Sequence, residues 1–345
     1  MASVPNSDLE YSEDEYKDFS FRPFKVVYNF APVPIPENFL STNNPPPDAQ
    51  PVTLTPVDFS SVLPEYKGTY AVVLENVLSP SECAQLLQMA EASVPEADRY
   101  ERRVKKPKRH SGKKEGTTTT TTTTSDDSAA SSTPAPQVFK DPWRPACVSV
   151  GPNLEVLDRD YRRGDRIVWD EQELTDRLWA RCAQAPGLLE QLAVLGPNHP
   201  AAPFKSRYSA NPPWRFSRIN RRMRFLKYRR GDFFRPHCDG AFTDSLDGKH
   251  RQTLFTLHLY LNDSKAEAAA AGREPTDLVG GATPFLSRHG SRRIDVHPRC
   301  GRVLIFQHNH LRHSGDDVVY GVKYTMRTDL LYEMVETEEK DEQGK

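Results

Sequence analysis

Apolar positions take helical spacing at two places in the first half of this chain and shorten into strand-like runs in the second. Gly68-Thr69-Tyr70-Ala71-Val72-Val73-Leu74 reads as a β-like run. Just beyond it, Ser79 stands three residues before Glu82 with Pro80 at the first helical position, a capping-box start. The spacing predicts a helix from 80 to about 93, with Cys83, Leu86, Leu87 and Ala90 on one face. Residues 158–170 read as a loop leading into a second helix from 171 to about 185, where Leu174, Leu178 and Cys182 recur at i, i+4 and i+8. From Phe216 onward the pattern becomes short strands at 223–228, 254–261, 303–306 and 322–332, with 265–273 a short surface helix or mobile loop. Many short strands closing on themselves imply a mainly β fold with flanking helices (α+β), a barrel or double-stranded β-helix (jelly roll).

Three stretches break the pattern. Residues 1–66 are rich in Pro, Asn, Ser and acids and are expected to be a disordered tail. A basic and Thr-rich insertion over 101–136 and an acidic tail over 336–345 are expected to be disordered as well, leaving one domain over 67–335. The run Arg102-Arg103-Val104-Lys105-Lys106-Pro107-Lys108-Arg109 reads as solvated charge, against a nuclear-import address or a nucleic-acid contact. Lys plus Arg (46) nearly balances Asp plus Glu (47), so the net charge of −1 gives no reason to expect a polyanion or a membrane surface. Five cysteines without a CxxC pair argue against a disulfide framework or structural zinc and for a reducing compartment. The acidic start lacks a signal-like apolar run, and no apolar stretch of about 18 residues follows. The expectation is a soluble cytoplasmic or nuclear protein.

The chemistry concentrates between 228 and 323. In Phe233-Phe234-Arg235-Pro236-His237-Cys238-Asp239-Gly240, His237 and Asp239 are two apart, so in extended chain both leave the same face. Two imidazoles and one carboxylate on one face of Fe(II) leave positions open for a chelating co-substrate and O2. Candidates for the second imidazole are His289, His297, His308, His310 and His313. A chelating dicarboxylate also needs a cation for its far end, and Lys323, ten residues after His313, supplies that second constraint. An isolated His-x-Asp arises often by chance; the ordered set carries the argument.

Tyr228-Arg-Arg-Gly231-Asp-Phe-Phe234-Arg-Pro-His237-Cys-Asp239 resembles the 2-oxoglutarate- and Fe(II)-dependent dioxygenases of the prolyl 4-hydroxylase-like branch, with their Tyr-x-x-Gly-x-x-aromatic-x-x-His-x-Asp pattern. Gly280-Gly281-Ala282-Thr283-Pro284-Phe285 is similar to that branch's Gly-Gly-Ala-Thr-x-Phe strand entry, and His313 to Gly321-Val322-Lys323 to its His-x9-Lys segment. The resemblance covers roughly 69–333. It implies Fe(II) on His237, Asp239 and His313, Lys323 on the distal carboxylate of 2-oxoglutarate, and Tyr228 as a further donor to that carboxylate. Tyr260 is a weaker co-substrate candidate, with ascorbate an added reductant.

The implied reaction hydroxylates an unactivated C–H bond of a protein side chain, proline among them, or of a small molecule, consuming O2 and releasing succinate and CO2. Weighed against it are a nucleic-acid alkyl demethylase, a non-catalytic jelly-roll binding module, and zinc hydrolysis that would leave Lys323 idle. Arg327 shares a strand face with Lys323 and Thr325, either bracing Asp329 or meeting an anionic substrate group. Phe234 and Phe285 read as core. Substrate contacts are expected from 143–170, 199–216 and 241–251.

Overall fold

The computed structural model describes residues 22–103, 138–151, 153–203, 212–244 and 249–335. Its centre is an eleven-stranded antiparallel sheet that runs Thr53–Pro56, Ala71–Glu75, Val303–Gln307, Arg251–Tyr260, Lys323–Met334, Arg222–Tyr228, Asp165–Asp170 and Arg144–Pro145, with Trp214–Ile219 pairing the distal half of Lys323–Met334. A four-stranded sheet, Phe234–His237, His313–Gly315, Thr283–Leu286 and Arg293–Val296, completes the jelly roll. The expected strands at 223–228, 254–261, 303–306 and 322–332 appear within one to three residues of their predicted limits.

Period-two alternation divides the large sheet into two chemically different faces. Ile167, Trp169, Met223, Phe225, Leu257, Leu259, Ile305, Met326 and Leu330 share one core with Cys83, Leu86, Leu174, Leu178 and Cys182 of the covering helices. The alternate positions, Arg166, Arg224, Tyr228, Thr256, His258, Tyr260, Lys323, Thr325, Arg327 and Asp329, lie on the other face. Apolar side chains thus go to the helices, while polar ones collect between the sheets.

The helix Pro80–Ala92 starts at Ser79, whose side chain accepts from Glu82 N while the Glu82 carboxylate accepts from Ser79 N. Glu82 also accepts from Arg181 at 2.5 Å, tying this helix to Gln172–Cys182. Residues 265–270 form the short surface helix. All five cysteines are free thiols. Among the described residues no helix is long and apolar enough to cross a membrane.

Three expectations are corrected. The tail assigned to 1–66 is built into the fold from residue 22: Phe39, Leu40, Val52, Phe59 and Leu63 are buried, and Thr53–Pro56 pairs with Ala71–Glu75. Average composition hides these spaced anchors, and Arg177 and Arg181 satisfy the strap's carbonyls at Phe39 and Ser41. Residues 1–21 lie outside the described residues.

The basic insertion begins later than assigned, because Tyr100–Arg103 and Val138–Asp141 form a hairpin at its base. Arg102, read as solvated, is 1% exposed and pairs with Asp141 at 2.5 Å and Asp165 at 2.8 Å. Residues 104–137 and 336–345 lie outside the described residues.

The loop assigned to 158–170 ends in a buried strand, Asp165–Asp170. Its charged residues masked the pattern because they have partners: Asp165 pairs with Arg102 and Arg229, and Arg166 with Glu155.

Phe59 packs edge-on against Phe285 at 5.3 Å and Tyr66 at 5.8 Å. Phe59→Ala is expected to destabilise the protein by about 3–5 kcal/mol, read by urea denaturation. A loss within experimental error would show that the strap carries no packing energy.

Candidate functional site

His237 and His313 face each other directly across neighbouring strands of the small sheet. Their ring centroids are 4.4 Å apart, the close approach of a cross-strand pair. Asp239, two residues past His237, turns into the same space. His237 Nε2 lies 3.6 Å from Asp239 Oδ1, and His313 Nε2 3.7 Å from Asp239 Oδ2. One ligand atom from each of the three residues falls within 4.8 Å of the others, a spacing one cation can bridge.

The surroundings orient each donor. His237 Nδ1 lies 2.7 Å from Arg235 O and His313 Nδ1 3.1 Å from Leu311 O. A carbonyl oxygen only accepts, so both Nδ1 atoms carry the proton and both Nε2 lone pairs face the metal position. Asp239 accepts from Thr256 Oγ1 at 2.5 Å and pairs with Arg327 NH1 at 2.7 Å. Burial opposes ionisation of Asp239, but Arg327, His313 and His237 together hold it well below the usual carboxylate range. Burial pushes His313 down to about 4 against the pull of Asp239, so its imidazole is neutral at physiological pH. A carboxylate beside a neutral imidazole is the protonation state that metal binding requires.

Packing fixes the rings. Phe234 stacks on His237 at 3.8 Å, and Phe306 of the large sheet meets His313 edge-on at 4.6 Å. Phe285 flanks the His313 strand and packs in the core. The remaining candidate imidazoles do not join the cluster. His308 is buried, its Nε2 3.6 Å from Asp329, and His289, His297 and His310 are exposed. Arg327 spans Asp239 and Asp329, so it braces the site's carboxylates from behind.

Beyond the triad stands a buried lysine. Lys323 is 2% exposed, and among the described residues no carboxylate comes within ion-pair distance of it. Its Nζ sits 5.5 Å from the Tyr228 ring and 5.6 Å from the Tyr260 ring. Burial lowers its pKa to about 7, only partly opposed by the more distant Asp316. The hydroxyl of Tyr260 donates to Val296 O at 3.4 Å, and Thr283 is its side-chain hydrogen-bonding neighbour.

Next to Lys323, Thr325 Oγ1 and His258 Nε2 are buried without a partner. A buried ammonium without an acid and two orphaned polar atoms suit a carboxylate from outside the chain. The glycine pair makes room for the lysine: Gly281 has φ +69°, and a Cβ there would stand 3.0 Å from Lys323 Cδ. At Gly280 a Cβ would meet Asp317 O at 2.5 Å.

Residues 223–328 match the 2OG-Fe(II) oxygenase superfamily. That segment includes the triad and Lys323, so the chain carries a 2OG-Fe(II) oxygenase domain, an enzyme domain that uses Fe(II) and 2-oxoglutarate. No curated protein matches the chain. Among solved structures it is similar to a prolyl-4-hydroxylase from Pseudomonas putida, with 16% identity over 56% of this chain and 78% of that one and a TM-score of 0.31. It is also similar to a viral collagen prolyl hydroxylase from Paramecium Bursaria Chlorella virus-1, with 18% identity, coverages of 50% and 81% and a TM-score of 0.30. A third is a Trichoplax adhaerens prolyl hydroxylase in complex with a hypoxia inducible factor peptide fragment, with 13% identity, coverages of 55% and 70% and a TM-score of 0.33.

Thr256→Val keeps the side-chain shape and removes the hydroxyl that orients Asp239. It is expected to weaken Fe(II) or Mn(II) binding about 10–100-fold, measured by anaerobic metal titration. Undiminished affinity would show that this hydroxyl does not position the ligand.

Proposed function

We propose that this protein hydroxylates an unactivated C–H bond of a protein side chain, with a prolyl ring as first candidate, or of a small molecule, turning 2-oxoglutarate and O2 into succinate and CO2. The observation that carries the reading is the convergence of the metal triad with a buried lysine that lacks an acidic partner. Either feature alone has bland explanations; together they match one cation and one dicarboxylate.

His237, Asp239 and His313 would hold the iron from one side, their unshared pairs aimed by two backbone carbonyls, Thr256 and Arg327. Lys323 would take the far carboxylate of 2-oxoglutarate, with Tyr228 and Thr325 as hydroxyl donors beside it. When bound, Fe(II) and 2-oxoglutarate would activate O2, which is the oxidant for the C–H bond. The chain's own work is to orient the substrate carbon and exclude water, and Phe285 and Phe306, both buried, seal the His313 side. Ascorbate as an added reductant and a reducing intracellular compartment belong to the same proposal; the five free cysteines support the second.

The demethylase alternative leaned on the basic run and on Arg327. Arg102 of that run is spent on Asp141 and Asp165, and Arg327 on Asp239 and Asp329. A zinc hydrolase would leave Lys323 without a partner.

His237→Ala and Asp239→Ala are each expected to abolish substrate-dependent succinate formation; near-wild-type turnover in either variant would reject the triad. Lys323→Ala leaves the bound carboxylate unpaired, a loss of about 2–5 kcal/mol. That corresponds to a KM for 2-oxoglutarate raised roughly 30- to 4000-fold, and an unchanged KM would remove Lys323 from the site.

The pH dependence has a definite sign. A dicarboxylate favours the protonated ammonium, whereas burial without one favours the neutral amine above pH about 7. Binding should therefore take up a proton, and 2-oxoglutarate affinity should fall as pH rises past about 7, by up to about tenfold per unit. Calorimetry in buffers of different ionisation enthalpy measures the uptake, and no uptake at pH 8 would contradict it.

A further inference from the structure

A buried guanidinium without a carboxylate partner stands beside the site, and the chemistry described so far does not use it. Residues 161–163 lie against the first ligand strand as an extra antiparallel rung. Arg163 N donates to Phe233 O at 2.8 Å, Phe233 N to Arg163 O at 3.2 Å, and Arg235 N to Tyr161 O at 2.9 Å. Between these bonds, Arg162 is 9% exposed, its Cζ 4.4 Å from the centroid of the Phe234 ring that stacks on His237. Its NH1 donates to Cys147 O at 3.3 Å, and the Tyr228 hydroxyl is its side-chain hydrogen-bonding neighbour. Its Nε is buried and unpartnered. Among the described residues no carboxylate lies within ion-pair distance of it, and the other charges that act on it most are Arg166 and Arg327.

The charge around the site does not balance either. Arg162, Arg224, Arg327 and Lys323 are cations, while Asp239 and Asp329 are the carboxylates that Arg224 and Arg327 engage. Arg166 is neutralised by Glu155, and Asp316 is held by Arg293. Fe(II) and the 2-oxoglutarate dianion are equal and opposite, so loading both leaves the excess of two positive charges unchanged. Lys323 and the metal already account for the two ends of 2-oxoglutarate, so among these groups Arg162 is the cation that no carboxylate of the chain or of the co-substrate engages.

We propose that Arg162 docks a carboxylate of the substrate, so that the carbon to be hydroxylated belongs to an acid. The source is a free amino or other carboxylic acid, or an acidic residue beside the target in a peptide. A guanidinium fork binds both oxygens of a carboxylate in one plane, which fixes direction as well as position. The Phe234 ring beneath it is shared with His237, so a carboxylate on Arg162 lies one aromatic ring away from a metal ligand.

The proposal rests on the dioxygenase reading, and the test separates the two. The full chain is loaded anaerobically with Fe(II) and saturating 2-oxoglutarate; the weak visible band of the chelate checks the dioxygenase reading by itself. The loaded protein is then titrated with acetate or acetamide at constant chloride, following the thermal unfolding midpoint. Acetate is expected to raise the midpoint and acetamide to leave it unmoved. Arg162→Gln should weaken the acetate response more than about tenfold. Arg162→Lys, which keeps the charge without the fork, should fall between the two and serves if the glutamine variant does not fold.

Free L-proline and the capped dipeptide acetyl-Asp-Pro-amide distinguish the two sources. A response to either supports the proposal and names the source. Equal responses to acetate and acetamide in the wild type, or an undiminished acetate response in either variant, would overturn it even where the visible band forms.

Discussion

Charge placed between two β-sheets has to be compensated on the spot, and in this protein Arg327 carries that compensation. Its guanidinium reaches Asp239 on one side and Asp329 on the other, and Arg224 meets Asp329 from the neighbouring strand. Asp329 consequently stays ionised far below the ordinary range although burial opposes it. Breaking such a buried arrangement by removing one partner typically costs about 3–5 kcal/mol. The anionic ligand of the metal site therefore depends on a strand that contributes no ligand itself.

The fold makes this possible by sorting side chains at every step of the large sheet. Odd positions of Arg251–Tyr260 and even positions of Lys323–Met334 go to the helical side, where Phe255, Leu257, Met326 and Leu330 supply most of the packing energy. Because that face secures the sheet, the opposite face is released for polar work. Register then brings the pieces together: Tyr228 opposite Lys323, His258 opposite Arg327, and Thr256 opposite Asp329. A slip of one residue in Lys323–Met334 would turn Lys323 and Arg327 into the apolar layer, so the apolar face also guards the register of the site.

Much of this was legible in the residue order. His237 and Asp239 announce themselves by a spacing of two, the Gly280-Gly281 pair by its place in a Gly-Gly-Ala-Thr-x-Phe strand entry, and the helix at Pro80–Ala92 by its capping box. Alternation gave the long strands because one of their faces is apolar. It failed at Asp165–Asp170, where Asp165 and Arg166 find partners on the distant segments 102, 229 and 155. It also failed at 22–66, where anchors are spaced too widely to form a pattern and the backbone is satisfied by arginines more than a hundred residues away. Arg162 was hidden for the same reason. In the sequence it is one arginine of a charged turn, and only the rung formed with Phe233 and Arg235 shows that it is buried. Local periodicity records which face a residue takes, while the pairing of charges across the fold leaves no local trace.

The strap also changes what the small sheet can do. Phe59 packs on Phe285, Phe285 on Phe306, and Phe306 on His313, with centroid separations of 5.3, 5.6 and 4.6 Å. Phe59 comes from the strap, Phe285 from the small sheet and Phe306 from the large one, so this row of rings joins three parts of the chain behind one metal ligand. Aromatic side chains packed edge to face have few ways to yield without opening a cavity. His237, by contrast, is held by Phe234, Tyr161 and the carbonyl of Arg235 on the open side of the triad, next to the turn that carries Arg162. The two imidazoles thus have unequal support: His313 is anchored in the interior, and His237 stands at the more exposed rim. Rigidity on one side and access on the other follow from a single topological fact, that the His313 strand lies between two neighbours while, among the described residues, the His237 strand has on its outer side only the short rung of residues 161–163.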